Sequence, residues 1–204
     1  MAVHQLLSGL SQWRRRFPAA TVIFLLAAGR AGAAEAMPIP PDVQITLLLK
    51  VLTYDRNFAT KARTGVSIGV VYVPTDPDSV RVKDEILKTL SRVGGRTIKN
   101  LPIRYTALEF RDPASLEKLV RANRINVFYV APGNGAGLEA LVKMSKTFAI
   151  TSLTGVPEFV QRGVAIGIGM KPDNKPDIII NLRASREEGS DLDASLLRIA
   201  RVLK

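Results

Sequence analysis

Cysteine is absent from the chain, and histidine occurs once, at His4. Without Cys there is no lipoprotein acylation site, no disulfide and no redox pair. His4 lies in a segment that reads as an export signal, so the remainder of the chain has neither residue. A Ser-His-Asp or Cys-His nucleophile and a zinc site of the usual ligands are thereby excluded. An enzyme built from what is left would need a carboxylate pair or a Ser-Lys arrangement, and no spacing advertises either. These absences favour binding and regulation over catalysis, with no cofactor and no metal.

The export reading rests on "MAVHQLLSGLSQWRRRFPAATVIFLLAAGRAGAAEA". Arg14, Arg15 and Arg16 precede an apolar stretch from Phe17 to Gly29, and small residues offer cleavage after Ala33 or Ala36. Arg14 to Phe17 resembles a twin-arginine signal except at Trp13 and Pro18. The apolar stretch is short for a membrane span. Residues 1–36 are expected to be a cleaved signal peptide, residues 37–204 a single domain, and the location periplasmic. The net charge is +11 for the whole chain and +8 without residues 1–36. That favours anionic surfaces, but the charges are dispersed and no long basic run remains. Even "RVGGRTIKNLPIR" (92–104) reads as a solvated loop, and no nucleic-acid partner is expected.

The remaining 168 residues suit one domain with a real core. Pro40 and Pro41 open a helix whose apolar positions (Leu47, Leu48, Val51, Leu52, Phe58) recur at helical spacing. "VSIGVVYV" (66–73) and "INVFYVAP" (125–132) are continuous apolar runs, the signature of strands buried on both faces. Between and after them fall helices over 74–95, starting at Asp76 or Asp78, and over 112–123, starting at Asp112 with Pro113 behind it. A strand over 103–108, the helix entered through "GNGAG", the strand "AITSLTG" and the short helix "VPEFVQRG" complete an alternating βαβ order. "VAIGIGMK" and "PDIIINLR" are joined by a link too short for a crossover, which makes them an antiparallel hairpin. "SDLDASLLRIARVLK" is expected to close the chain as a helix capped by Ser190 or Asp191, with Leu192, Leu196, Leu197, Ile199, Ala200 and Val202 inward. The fold class is therefore α/β, a three-layer doubly wound and mainly parallel sheet with a C-terminal antiparallel hairpin and closing helix.

Ligands of open parallel sheets bind outside the carboxyl ends of the strands. Turns 73–79, 131–137 and 151–158 should gather there, so a small polar or anionic ligand is expected to contact Thr75, Asn134, Ser152 and Thr154. Gly133, Gly135 and Gly137 precede a helix, but G-x-G-x-G without Gly-Lys-Ser reads as a tight strand-to-helix turn rather than a phosphate loop. Glu187, Glu188, Asp191 and Asp193 lack calcium-loop spacing and read as a solvated turn with a helix cap.

The segment "AITSLTGVPEFVQRGVAIGIGMKPDNKPDIIINLRASREEGSDLDASLLRIARVLK" resembles the YfiR/HmsC family of exported bacterial proteins. What corresponds is a strand, a helix ending in Gly, a hairpin ending in "INL", an Ala-to-Gly turn (184–189, one residue longer here) and "SLLRIARV". The likeness implies a periplasmic α/β domain that tends to dimerise and restrains a membrane-bound diguanylate cyclase. It implies control of cyclic di-GMP, exopolysaccharide and biofilm, and sequestration by an outer-membrane lipoprotein. The chain departs from the family in having no Cys for redox control and in carrying "YDRNFATKA" where a Trp-Pro ending is common. "GVVYVPTDPDS" and "TGVPEFVQRG" are also similar to one lobe of the substrate-binding proteins of ABC transporters, which gives the alternative of a small-molecule-binding lobe.

Overall fold

The computed structural model describes residues 35–93 and 95–204, so most of the expected signal peptide lies outside the described residues. Its first helix, α1 (Pro41–Leu52), has Pro at its first position, where a missing N–H costs nothing. The expected continuation to Phe58 does not form. Asp55 Oδ1 instead accepts from Asn57 N at 3.0 Å, a local turn that competes with helix, and Phe58 opens α2 (Phe58–Ala62).

Alternation then proceeds as β1 (Val66–Tyr72), α3 (Pro77–Arg92), β2 (Thr97–Ile98), β3 (Leu101–Glu109), α4 (Pro113–Ala122), β4 (Val127–Val130), α5 (Leu138–Thr147), β5 (Thr151–Thr154), α6 (Pro157–Gln161), β6 (Ile166–Met170), β7 (Pro176–Asn181), α7 (Leu182–Glu187), α8 (Ala194–Ile199) and β8 (Arg201–Leu203). The sheet order is β2-β3-β1-β4-β5-β6-β7-β8. The five strands from β3 to β6 pair in parallel, joined by crossover helices. β6 and β7 form the expected antiparallel hairpin, with Ile166 opposite Ile180 and Met170 opposite Pro176. At the other edge, the basic stretch read as a loop makes a short antiparallel pair, β2 with β3, turning through Lys99 and Asn100 at positive φ.

Alternate residues of the central strands face opposite layers. Val66, Ile68, Val70, Val127 and Tyr129 pack beneath α1 and α3 with Leu48, Leu52, Ile86 and Leu90. Val71, Phe128 and Val130 face Leu116, Val120, Leu138 and Leu141 of α4 and α5. Two of these helices, α3 and α4, start on a carboxylate: Asp76 accepts from Ser79 N and Asp112 from Ser115 N. Asp76→Ala is expected to cost about 1 kcal/mol, read as a lower urea midpoint with an unchanged slope.

The C-terminus differs most from the sequence reading. Leu182, expected to end the last strand, and residues 183–187, expected as a turn, form α7, capped by Asn181, whose side chain accepts from Ala184 N. The final helix is shorter than expected and is capped by Asp193. Its last residues straighten into β8, which runs parallel to β7 with Ile180 opposite Val202. Ile199, expected inward, is 62% exposed. Pairing with β7 satisfies backbone groups that a longer helix would have left on an open sheet edge, and this outweighs the helical periodicity. The segment between α7 and α8 is clasped to the end of α1. Arg56 N donates to Asp191 O at 2.8 Å, Asp193 N to Tyr54 O at 2.9 Å and Asp191 N to Asp55 Oδ1 at 2.9 Å. Among the described residues no helix is long and apolar enough to cross a membrane.

Candidate functional site

The carboxyl ends of β1, β4 and β5 converge as expected, but the chain's own residues 35–40 cross the site. Ile39 is buried, and its carbonyl accepts from Gln44 Nε2. Gln44, fully buried on α1, accepts at Oε1 from the Tyr129 hydroxyl at 2.7 Å. That hydroxyl also lies 3.8 Å from Met37 Sδ. Burial raises the Tyr129 phenol far above its ordinary range, so it acts only as a neutral donor. Further out, the Glu35 carboxylate accepts from the backbone N–H of Gly133 and, at 3.1 Å, from that of Gly135.

The four residues expected to contact a ligand have different surroundings. Thr75 is exposed in the turn after β1. Asn134 is fully buried in the turn after β4; its Nδ2 donates to Ala131 O at 2.8 Å and Val71 O at 3.2 Å, and its Oδ1 has no partner. Thr154 is buried, donates to Val130 O at 2.9 Å and accepts from Val156 N at 3.1 Å. Ser152 is buried on β5, two residues before Thr154. Beside Thr75 runs an open groove of about 630 Å³ along α3, from Pro74 to Lys88. Its charges are largely met locally, since Arg81 pairs with Asp78 and Glu85.

Ser152 belongs instead to a polar cluster that the sequence reading took for a solvated turn. Glu188 is fully buried. Its Oε2 accepts from Ser152 N at 2.9 Å, and its Oε1 meets the Ser152 hydroxyl and, at 2.7 Å, the Ser145 hydroxyl. Ser152 Oγ accepts in turn from Ala165 N at 2.8 Å. The single Ser145 hydroxyl proton cannot serve both Glu188 and the Val142 carbonyl, 2.9 Å away. A protonated Glu188 that donates to Ser145 completes the network. Burial accordingly pushes the carboxyl up to about 7, against the lowering effect of the Ser152 and Ser145 hydrogen bonds and of Lys61. Lys61 Nζ donates nearby to Thr151 Oγ1 at 2.7 Å and Ser190 Oγ at 3.0 Å, and burial lowers its pKa despite Asp55 and Glu188. Only the small residues around it (Ala184, Ser185, Gly189) hint in sequence that Glu188 turns inward. Among the described residues, no group of three or more His, Cys, Asp or Glu is placed to hold a metal ion.

The architecture is an α/β domain built on a mainly parallel sheet with a C-terminal antiparallel hairpin. It is similar to a Streptococcus pneumoniae structure described as an ABC domain in complex with L-Trp, at 14% identity and a TM-score of 0.56, covering 80% of this chain and 62% of that one. It is similar also to a conserved domain protein from Vibrio cholerae O1 biovar El Tor, at 15% identity and a TM-score of 0.57, covering 81% and 60%. The chain thus spans about three fifths of the length of each. The likeness is one of fold, that of substrate-binding-protein-like domains. The chain belongs to the YfiR/HmsC-like family, whose profile matches residues 43–201. No curated protein matches it.

Proposed function

We propose that the chain is a periplasmic, non-catalytic regulator that binds the periplasmic part of a membrane-bound signalling protein, such as a diguanylate cyclase, and so governs cyclic di-GMP and biofilm. The observation that carries this reading is the family match, which runs from α1 to β8 and takes in the hairpin and the clasp. The absence of Cys and of any His beyond His4 supports a role without catalysis. Deleting the gene is expected to raise cyclic di-GMP, and the tagged protein is expected to capture an inner-membrane cyclase. A dimer on size-exclusion chromatography would agree with the family's habit.

The second reading, a small-molecule-binding lobe, is favoured by the likeness to the L-Trp-bound domain. Its proposed contacts are Thr75, Asn134, Ser152 and Thr154. Unchanged cyclic di-GMP on deletion, together with a small molecule that stabilises the purified protein, would select it. Thr75→Ala is the contact test that leaves the buried members untouched.

A further inference from the structure

The strand-to-helix turn at Gly133 to Gly135 does more than reverse the chain. We infer that, in the chain cleaved after Ala33, it is a binding site for a carboxylate, filled by Glu35 and open to a carboxylate-bearing small molecule when Glu35 swings out. This goes beyond the regulatory reading, and its test needs no protein partner.

A carboxylate is already seated there. Both Glu35 oxygens are used, Oε2 by Gly133 N and Oε1 by Gly135 N, across 98 and 100 residues of sequence. Gly133 has φ of +84°, a conformation that turns its N–H toward the carboxylate and that side chains other than Gly's resist. At Gly135 a Cβ would fall on Glu35 Oε1, so the space is a cradle that any larger residue fills. The turn leads into α5, whose N-cap, Gly137, supplies no side-chain acceptor. Arg162 Nη2 donates to Gly135 O at 2.6 Å, which brings a guanidinium beside the turn. The nearby Asp76 is engaged with Ser79 N at 2.8 Å.

The outer end of the occupying segment can give way while Met37 and Ile39 stay packed on the core. Residues 35–40 form no helix or strand, Ala36 is exposed, and Glu35 is only half-buried. They lie over the strand ends outside which open parallel sheets take their ligands.

The test uses the chain cleaved after Ala33, ¹⁵N-labelled, with sodium acetate as the probe. In Glu35→Ala, acetate is expected to shift the Gly133 and Gly135 amide resonances saturably at millimolar concentration. The wild type should need about tenfold more, because its tethered carboxylate competes at high effective concentration. Gly135→Ala added to Glu35→Ala should abolish the response. Glu35→Gln repeats the experiment with side-chain size retained, should the alanine variant fold poorly. Absence of saturable shifts in either Glu35 variant, or equal acetate response in variant and wild type, would overturn the inference. So would inorganic phosphate that moves the same amides at lower concentration than acetate, because the site would then belong to phosphates.

Discussion

Replacing Glu188 with Gln is expected to flatten the dependence of stability on pH between about 4.5 and 7. The folded chain keeps the Glu188 proton up to about pH 7, whereas the exposed carboxyl loses it near 4.5. Between those values the folded state binds more protons than the unfolded one, so stability falls as pH rises. Glu188 thus contributes stability that is fully present below pH 4.5 and lost as pH passes 7. A change of this size corresponds to about 3 kcal/mol, which for a chain of this length moves the midpoint by roughly 6–12 °C. A neutral amide carries no such titration. Glu188→Gln should therefore track the wild type at pH 5 and exceed it at pH 8, read by thermal melts across the range. A wild-type slope that persists in the variant would place the titration elsewhere.

Gly155→Ala should be the most damaging small substitution at the carboxyl-end crevice. A Cβ at Gly155 would collide with the Gln44 side-chain amide. Gln44 has nowhere to retreat, since it is fully buried between the Tyr129 hydroxyl and the Ile39 carbonyl. Displacing it leaves buried polar groups unpaired and overpacks the junction of α1 with β5, a combined cost of about 2–4 kcal/mol. Thermal unfolding should drop by roughly 5–15 °C. A loss below about 1 kcal/mol would mean that α1 can shift away from the sheet without strain.

Much of the fold was legible in the sequence because its strongest signals are local. "VSIGVVYV" and "INVFYVAP" have no polar face to offer water, and Asp112-Pro113 starts a helix whatever surrounds it. The hairpin was legible from the length of its link. What escaped depends on contacts between distant residues. Arg201 to Leu203 continue a helical pattern, and only the open edge of β7 turns them into a strand. Glu188 sits among charged neighbours, and its burial follows from two serines 36 and 43 residues earlier. Of the candidate site, the turns that carry its residues were legible. Thr75 and Asn134 fall at the expected turns, whereas Ser152 serves Glu188, and no local pattern distinguishes a hydroxyl that will meet a buried carboxyl. Glu35 escaped because it stands at the border of the export signal, where sequence reasoning expects processing rather than a contact with a turn 98 residues on.

The clasp between the end of α1 and the segment before α8 bears on the order in which the protein is made. It joins positions as much as 139 residues apart, Tyr54 and Asp193, so α1 is fastened by residues synthesised long after it. Contacts so far apart in the chain close late, after the loop between them has been collapsed. Until residues 191–193 are available, the nascent chain can assemble its parallel strands while the far end of its first helix stays unsecured. A polypeptide that ends before Ser190 would keep β1 to β7 and still lack the fastening that holds its own beginning in place.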